Sequence, residues 1–157
     1  MRHYGQEGAY KGFFYMYMCH FSKLYVRLLF DDFTMGVLRL LNVAPTQLLP
    51  NSWAYLQVFR VLCRSLYLQA SAQSFLYFYD TWPKSLTTWL SLISWPRTSR
   101  LEAFTQSSKH FKDGIFKVVV KEPGRSYFYN DDGSTKFPFS CIVTLGVIRT
   151  WKWRSCR

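Results

Sequence analysis

Apolar residues recur at helical spacing in two neighbouring stretches. Phe33, Val37, Leu40 and Leu41 fall at i, i+4, i+7 and i+8, which predicts an amphipathic helix. Asp31 and Asp32 stand just ahead of it, where a carboxylate accepts orphan amide protons and complements the helix dipole. Gly36 weakens this helix by about 1 kcal/mol relative to Ala. Asn42 lies near its end, and Val43-Ala44-Pro45 must leave it, because residues before proline avoid the α region. Pro50-Asn51-Ser52 signals a second start, with Asn51 or Ser52 as cap. Trp53, Leu56, Phe59, Leu62, Cys63 and Leu66 then form the best helical stripe in the chain, with Gln57, Arg60, Arg64 and Tyr67 opposite. The two stripes are expected to pack together, each large side chain contributing about 1.5–3 kcal/mol on burial.

The remaining pattern is mixed. Residues 10–21 (YKGFFYMYMCHF) are apolar almost all round. Their Tyr and Phe content favours a strand and their length a helix; length is given more weight, and a helix is expected. Ser71 or Ser74 caps a shorter helix through Phe75, Leu76, Phe78 and Tyr79, ended by Trp82-Pro83. Residues 86–95 alternate imperfectly and are rich in Thr, Trp, Leu and Ile, which predicts a strand. Residues 96–100 form a loop, and Ser107 or Ser108 begins a helical turn through His110, Phe111 and Lys112. Residues 115–120 (IFKVVV) read as a strand, and Glu122-Pro123-Gly124-Arg125 as a turn. Residues 127–129 and 135–139 read as a hairpin around Asn130-Asp131-Asp132-Gly133, since Asp-Gly supplies the positive φ of a tight turn. Pro138 marks the last strand as an edge. Helices first and a small antiparallel sheet after make an α+β fold, its N-terminal helical half packed on the sheet and hairpin.

Composition narrows the picture. The 157 residues are 49% apolar and 20% aromatic, which suits one domain with a sizeable core and excludes a disordered chain. The formal net charge of +11 favours acidic partners such as nucleic acid or an anionic surface. Arg149, Lys152, Arg154 and Arg157 lie among residues 141–157, which hold no acid. Cys19, Cys63, Cys141 and Cys156 lack the close pairing that presents two sulfurs to one zinc ion, and are too sparse for a disulfide scaffold. They read as free thiols in a reducing compartment. The start of the chain has no apolar signal segment. The most apolar stretch, residues 13–30, is broken by His20, Lys23 and Arg27, short of the roughly 20 apolar residues of a helical span. The expected setting is intracellular, nuclear or cytoplasmic, neither secreted nor membrane-bound.

Candidate chemistry is sparse. Two-metal nucleotide transfer needs carboxylates converging on ions about 4 Å apart. Asp31-Asp32 fits a helix cap and Asp131-Asp132 a turn, and neighbouring residues on an element do not point the same way. Convergence of Asp80, Asp113 and Asp132 or Glu122 is what a catalytic site would require. His3, His20 and His110 are isolated, and no glycine-rich phosphate loop occurs. No catalytic residue, metal site or cofactor is expected. Basic and aromatic residues do interleave after residue 108. Bases stack on exposed rings while Lys and Arg hold phosphates, so Lys109, Lys112, Lys117, Lys121, Arg125, Tyr127, Tyr129 and Lys136 are candidate nucleic-acid contacts, with packing of the hairpin as the alternative.

Six sequence blocks carry a resemblance. They are FDDFT at residues 30–34, VLRLLNVAPTQLLPNSWAYLQVFRVLCRSL at 37–66, SAQSFLYFY at 71–79, TWLSL at 88–92, HFKDGIFKVV at 110–119 and NDDGSTKFPFS at 130–140. In this order they resemble the plant transposon protein domain of gypsy-type retroelements, also labelled a gypsy-type transposase. The resemblance covers residues 20–140, with 1–19 a poorly defined N-terminal segment. It implies a gag-like place in a longer retroelement-derived polyprotein and brings no catalytic residues. The family usually reads Trp after KFPFS; here Cys141-Ile142-Val143-Thr144 follows, so residues 141–157 are expected to be a frameshifted tail. The expected function is a non-catalytic assembly or nucleic-acid-associated module, gripping backbone phosphates or associating with itself. The alternatives are a transposase-type enzyme and a pure protein–protein interaction domain.

Overall fold

The computed structural model describes residues 12–83, 89–94 and 111–140. The chain enters as strand β1 (Phe13–Tyr17) and a short helix α1 (Met18–Ser22). Helices α2 (Asp32–Leu41), α3 (Pro50–Ser65) and α4 (Ala72–Tyr77) follow. Then come strands β2 (Tyr79–Pro83), β3 (Leu90–Ser94) and β4 (Ile115–Val119), and a last helical turn α5 (Arg125–Phe128). β1 pairs antiparallel with β4, and β2 with β3. The class is α+β.

Of the expected helix over residues 10–21, residues 10 and 11 lie outside the described residues, and the rest do not form one helix. The apolar run covers two elements, a strand and then a helix, so its length misleads. Along β1, Phe14 and Met16 are buried and Tyr15 is exposed, the alternation of a half-buried strand. The ladder comes from β4, about a hundred residues later. The sheet therefore does not simply follow the helices; it joins the start of the described chain to a strand that follows them. Phe14 and Met16, ahead of residue 20, lie within the core.

α2 starts as its acids predict. Asp31 is the cap and accepts from the Thr34 amide at 2.9 Å, and Asn42 closes the helix at φ +54°. A Cβ on Gly36 would stand 3.2 Å from that of Ala72, so the glycine lets α4 pack close. α3 is not capped by Asn51 or Ser52. Leu49 precedes it and Pro50 occupies the first turn, where its fixed φ suits the helix and its missing N–H costs nothing. The Ser52 hydroxyl instead accepts from the Leu92 amide at 2.9 Å, fastening α3 to β3.

The expected α3 stripe is half right. Trp53, Leu56 and Cys63 are buried, while Leu62, Leu66 and, on α2, Leu40 are exposed. The Trp53 indole donates to the Pro45 carbonyl at 3.1 Å, and Phe59 meets Phe33 and Phe75. From Val61 onward Cys63 is the one buried position of the helix. Ser71 caps α4, accepting from the Ser74 amide, but that helix stops at Tyr77, and Trp82-Pro83 lies in β2.

The hairpin at residues 127–139 is also corrected. The turn is present: Gly133 has φ +82° and the Asp132 carboxylate accepts from the Ser134 amide at 2.8 Å. Its first arm is helical, and its pairing shrinks to one bridge, Tyr129 opposite Thr135. Phe128, Phe137 and Phe139 all turn inward onto Phe14. Burying these rings outweighs a regular ladder, and Pro138 lies in no strand. Among the described residues no helix is long and apolar enough to cross a membrane.

Candidate nucleic-acid interface

The acids divide by task. Asp31 caps α2 and its other oxygen lies 3.1 Å from the Arg60 guanidinium. Burial alone would raise its pKa, but the Thr34 hydroxyl and amide and Arg60 together hold it below the usual carboxylate range. Asp132 is held low by the Ser134 hydroxyl and amide. Asp80 lies on β2, Asp113 in the turn before β4, and Glu122 ahead of α5, 3.6 Å from Arg125. Among the described residues no three His, Cys, Asp or Glu side chains gather where they could hold a metal ion.

Cys19 and Cys63 are free and buried, and burial pushes the Cys19 thiol up, away from the reactive thiolate. Cys141 and Cys156 lie outside the described residues. His20 is fully buried against Trp53 and Tyr17. Its Nδ1 accepts from the Tyr17 amide at 3.3 Å, while Nε2 has no hydrogen-bond partner among the described residues. Burial lowers its pKa to about 4, so the ring is neutral at pH 7.

The expected contact residues separate into two groups. Lys112 and Lys117 are exposed, and each ammonium stands over a ring: Lys112 is 3.8 Å from the Trp89 centroid and Lys117 is 3.7 Å from that of Phe13. Lys121, also exposed, follows at the end of β4. The others cluster around α5 and the Gly133 turn. Arg125 lies 5.0 Å from the Tyr129 ring, and Lys136 lies 6.0 Å from that of Tyr127. Lys136 shares a shallow depression with Asp131 and Asp132, which dilutes its charge. Tyr127 and Tyr129 are half-buried against the core, and the Tyr127 hydroxyl donates to the Phe30 carbonyl. They act as anchors of this segment, with their rings turned to packing. Lys109 lies outside the described residues.

Residues missed by sequence reasoning supply an aromatic surface of which Tyr15 is exposed and Phe13 and Trp89 are partly covered. Phe13, Tyr15 and Trp89 lie beside the lysines. Reading residues 10–21 as a strand would have placed Phe13 and Tyr15 on one face, since alternate residues share a face.

These features define a small α+β domain with a buried aromatic centre and a basic, ring-bearing outer surface. Residues 14–83 match a family model described as "Putative gypsy type transposon", and this supports a gypsy-type transposon-related domain over that stretch. That match includes β1 from Phe14 on and all the longer helices; β4 and the Gly133 turn lie beyond it. No curated protein and no solved structure matches the chain.

Proposed function

We propose that this chain is a non-catalytic, nucleic-acid-associated module of a retroelement-derived polyprotein, in a gag-like place, that binds backbone phosphates inside the cell. The observation that supports this is the division of charge. Asp31 is engaged at a helix end and with Arg60, whereas Lys112, Lys117 and Lys121 face solvent along one short segment, where they outnumber the exposed Asp113 and Glu122. With a net charge of +11, this surface suits a polyanion, and among the described residues no groove-reading element accompanies it, so phosphates are the natural target. Titration of the full chain with duplex and single-stranded oligonucleotides tests the reading. With three or more phosphates engaged, affinity for duplex falls by about 40-fold or more between 50 and 200 mM salt. Absent or salt-independent binding overturns it.

A second reading, a protein–protein module, draws on the far end of α3. Val61, Leu62, Leu66, Tyr67 and Leu68 are all exposed there, and grouped exposed apolar residues mark interaction surfaces. Concentration-dependent self-association in sedimentation, abolished by Leu62→Ser with Leu66→Ser, would favour it; a monomer at all concentrations would remove its self-association form.

A further inference from the structure

We infer that the outer face of the β1–β4 sheet is a stacking platform for single-stranded nucleic acid, with Tyr15 as its central ring. This rests on the nucleic-acid reading above and specifies the form of ligand. Antiparallel register places Phe13 opposite Val119, Tyr15 opposite Lys117 and Tyr17 opposite Ile115 on one face. Tyr15 is 43% exposed, although the residues on either side of it are buried. Lys117 leans over Phe13 instead of covering its direct partner Tyr15, and the Phe13 and Tyr15 rings meet edge to face at 5.6 Å. The cation–π contact thus holds an ammonium beside a ring that stays open to solvent.

Beyond Tyr15 the outer side of the strand closes over, and Tyr17 is buried. Tyr17 meets Phe111 at 5.2 Å, Phe111 meets Trp89 at 5.5 Å, and Lys112 stands over Trp89. A second lysine-over-ring pair thus stands beyond buried Tyr17, and Tyr15 is the exposed ring of β1. Asp113 is the single acid within β1, β3, β4 and the turn before β4, so the face is complementary to a polyanion. A ring lying on a sheet can take an unstacked base, and a neighbouring ammonium can take its phosphate. Duplex DNA keeps its bases stacked inside and offers this surface only its phosphates.

The test compares full-length protein with Tyr15→Ala, Tyr15→Phe and Lys117→Gln, using a mixed-sequence single-stranded DNA oligonucleotide and its duplex in fluorescence anisotropy at several salt concentrations. Tyr15→Ala should weaken single-strand binding by about 5- to 100-fold with an unchanged salt slope, as loss of one stacked base predicts. Tyr15→Phe should retain binding. Lys117→Gln should lower the salt slope by about 0.7, one phosphate on a single strand. Unfolding midpoints confirm that each variant is folded. Salt-dependent binding that treats single strand and duplex alike and ignores Tyr15→Ala overturns the platform and leaves phosphate binding standing. No salt-dependent binding to either oligonucleotide overturns both.

Discussion

The two faces of the β1–β4 sheet are built from the same ten residues and have opposite fates. Inward, Phe14 and Met16 are completely buried, and Phe14 alone meets Phe30, Phe128, Phe137 and Phe139 at ring distances of 5.2–5.7 Å. Outward, Tyr15, Ile115, Lys117 and Val119 face solvent. α3 repeats the contrast along its length, buried at Trp53 and Leu56 and exposed at Leu62 and Leu66. A high aromatic content therefore does not all mean core. Rings enclosed on all sides hold the fold; a ring with an open face, such as Tyr15, is available for contacts with other molecules.

The strongest way to break this comparison is Phe14→Ala. A fully enclosed ring ringed by four others leaves a cavity the neighbours cannot fill, and such truncations cost about 3–5 kcal/mol. That is a large share of a typical domain stability of about 5–15 kcal/mol. Urea unfolding should show a large drop in midpoint at similar slope. A loss below about 1 kcal/mol would mean that the inner face does not organise the core.

The buried side also holds one titratable group whose charge the fold resists. His20 has an ordinary pKa of 6.5 and a folded one of about 4. Between those values the unfolded chain binds a proton that the folded chain rejects. Stability is therefore complete above about pH 6.5 and declines as pH falls toward 4, by about 3 kcal/mol in total. Unfolding midpoints across pH 7 to 4 measure this. In His20→Phe the component should vanish whatever that variant's absolute stability. A wild-type profile flat from pH 7 to 5 would show that His20 is solvated in solution.

Local signals carried α2, most of α3 and the Gly133 turn. Asp31, Asn42 and Asp-Gly each act on backbone groups a few residues away, so their effect is readable from neighbours alone. What the sequence hid depends on distant partners. β1 needs β4, and α5 forms because Phe128 has Phe14 and Phe137 to meet. Leu62 and Leu66 keep the helical spacing of Trp53 and Leu56, but spacing says which residues share a face and not whether another element covers it. The candidate site suffered the same way. Its lysines were legible from charge, whereas Phe13 and Tyr15 became visible only with the strand.

The smallest expected effect is the sharpest check on the outer face. Ile115 and Val119 are each 57% exposed. Replacing either with Thr exchanges apolar surface for a hydroxyl, while β-branching keeps the preference for extended backbone. A side chain already in water loses little, so Ile115→Thr and Val119→Thr should each change stability by no more than about 0.5 kcal/mol. The distance between that value and the cost of Phe14→Ala measures how differently the two faces are used. If either substitution cost more than about 1.5 kcal/mol, something would have to cover this face in solution. The ring surface around Tyr15 would then belong to the core, leaving no open platform for a base.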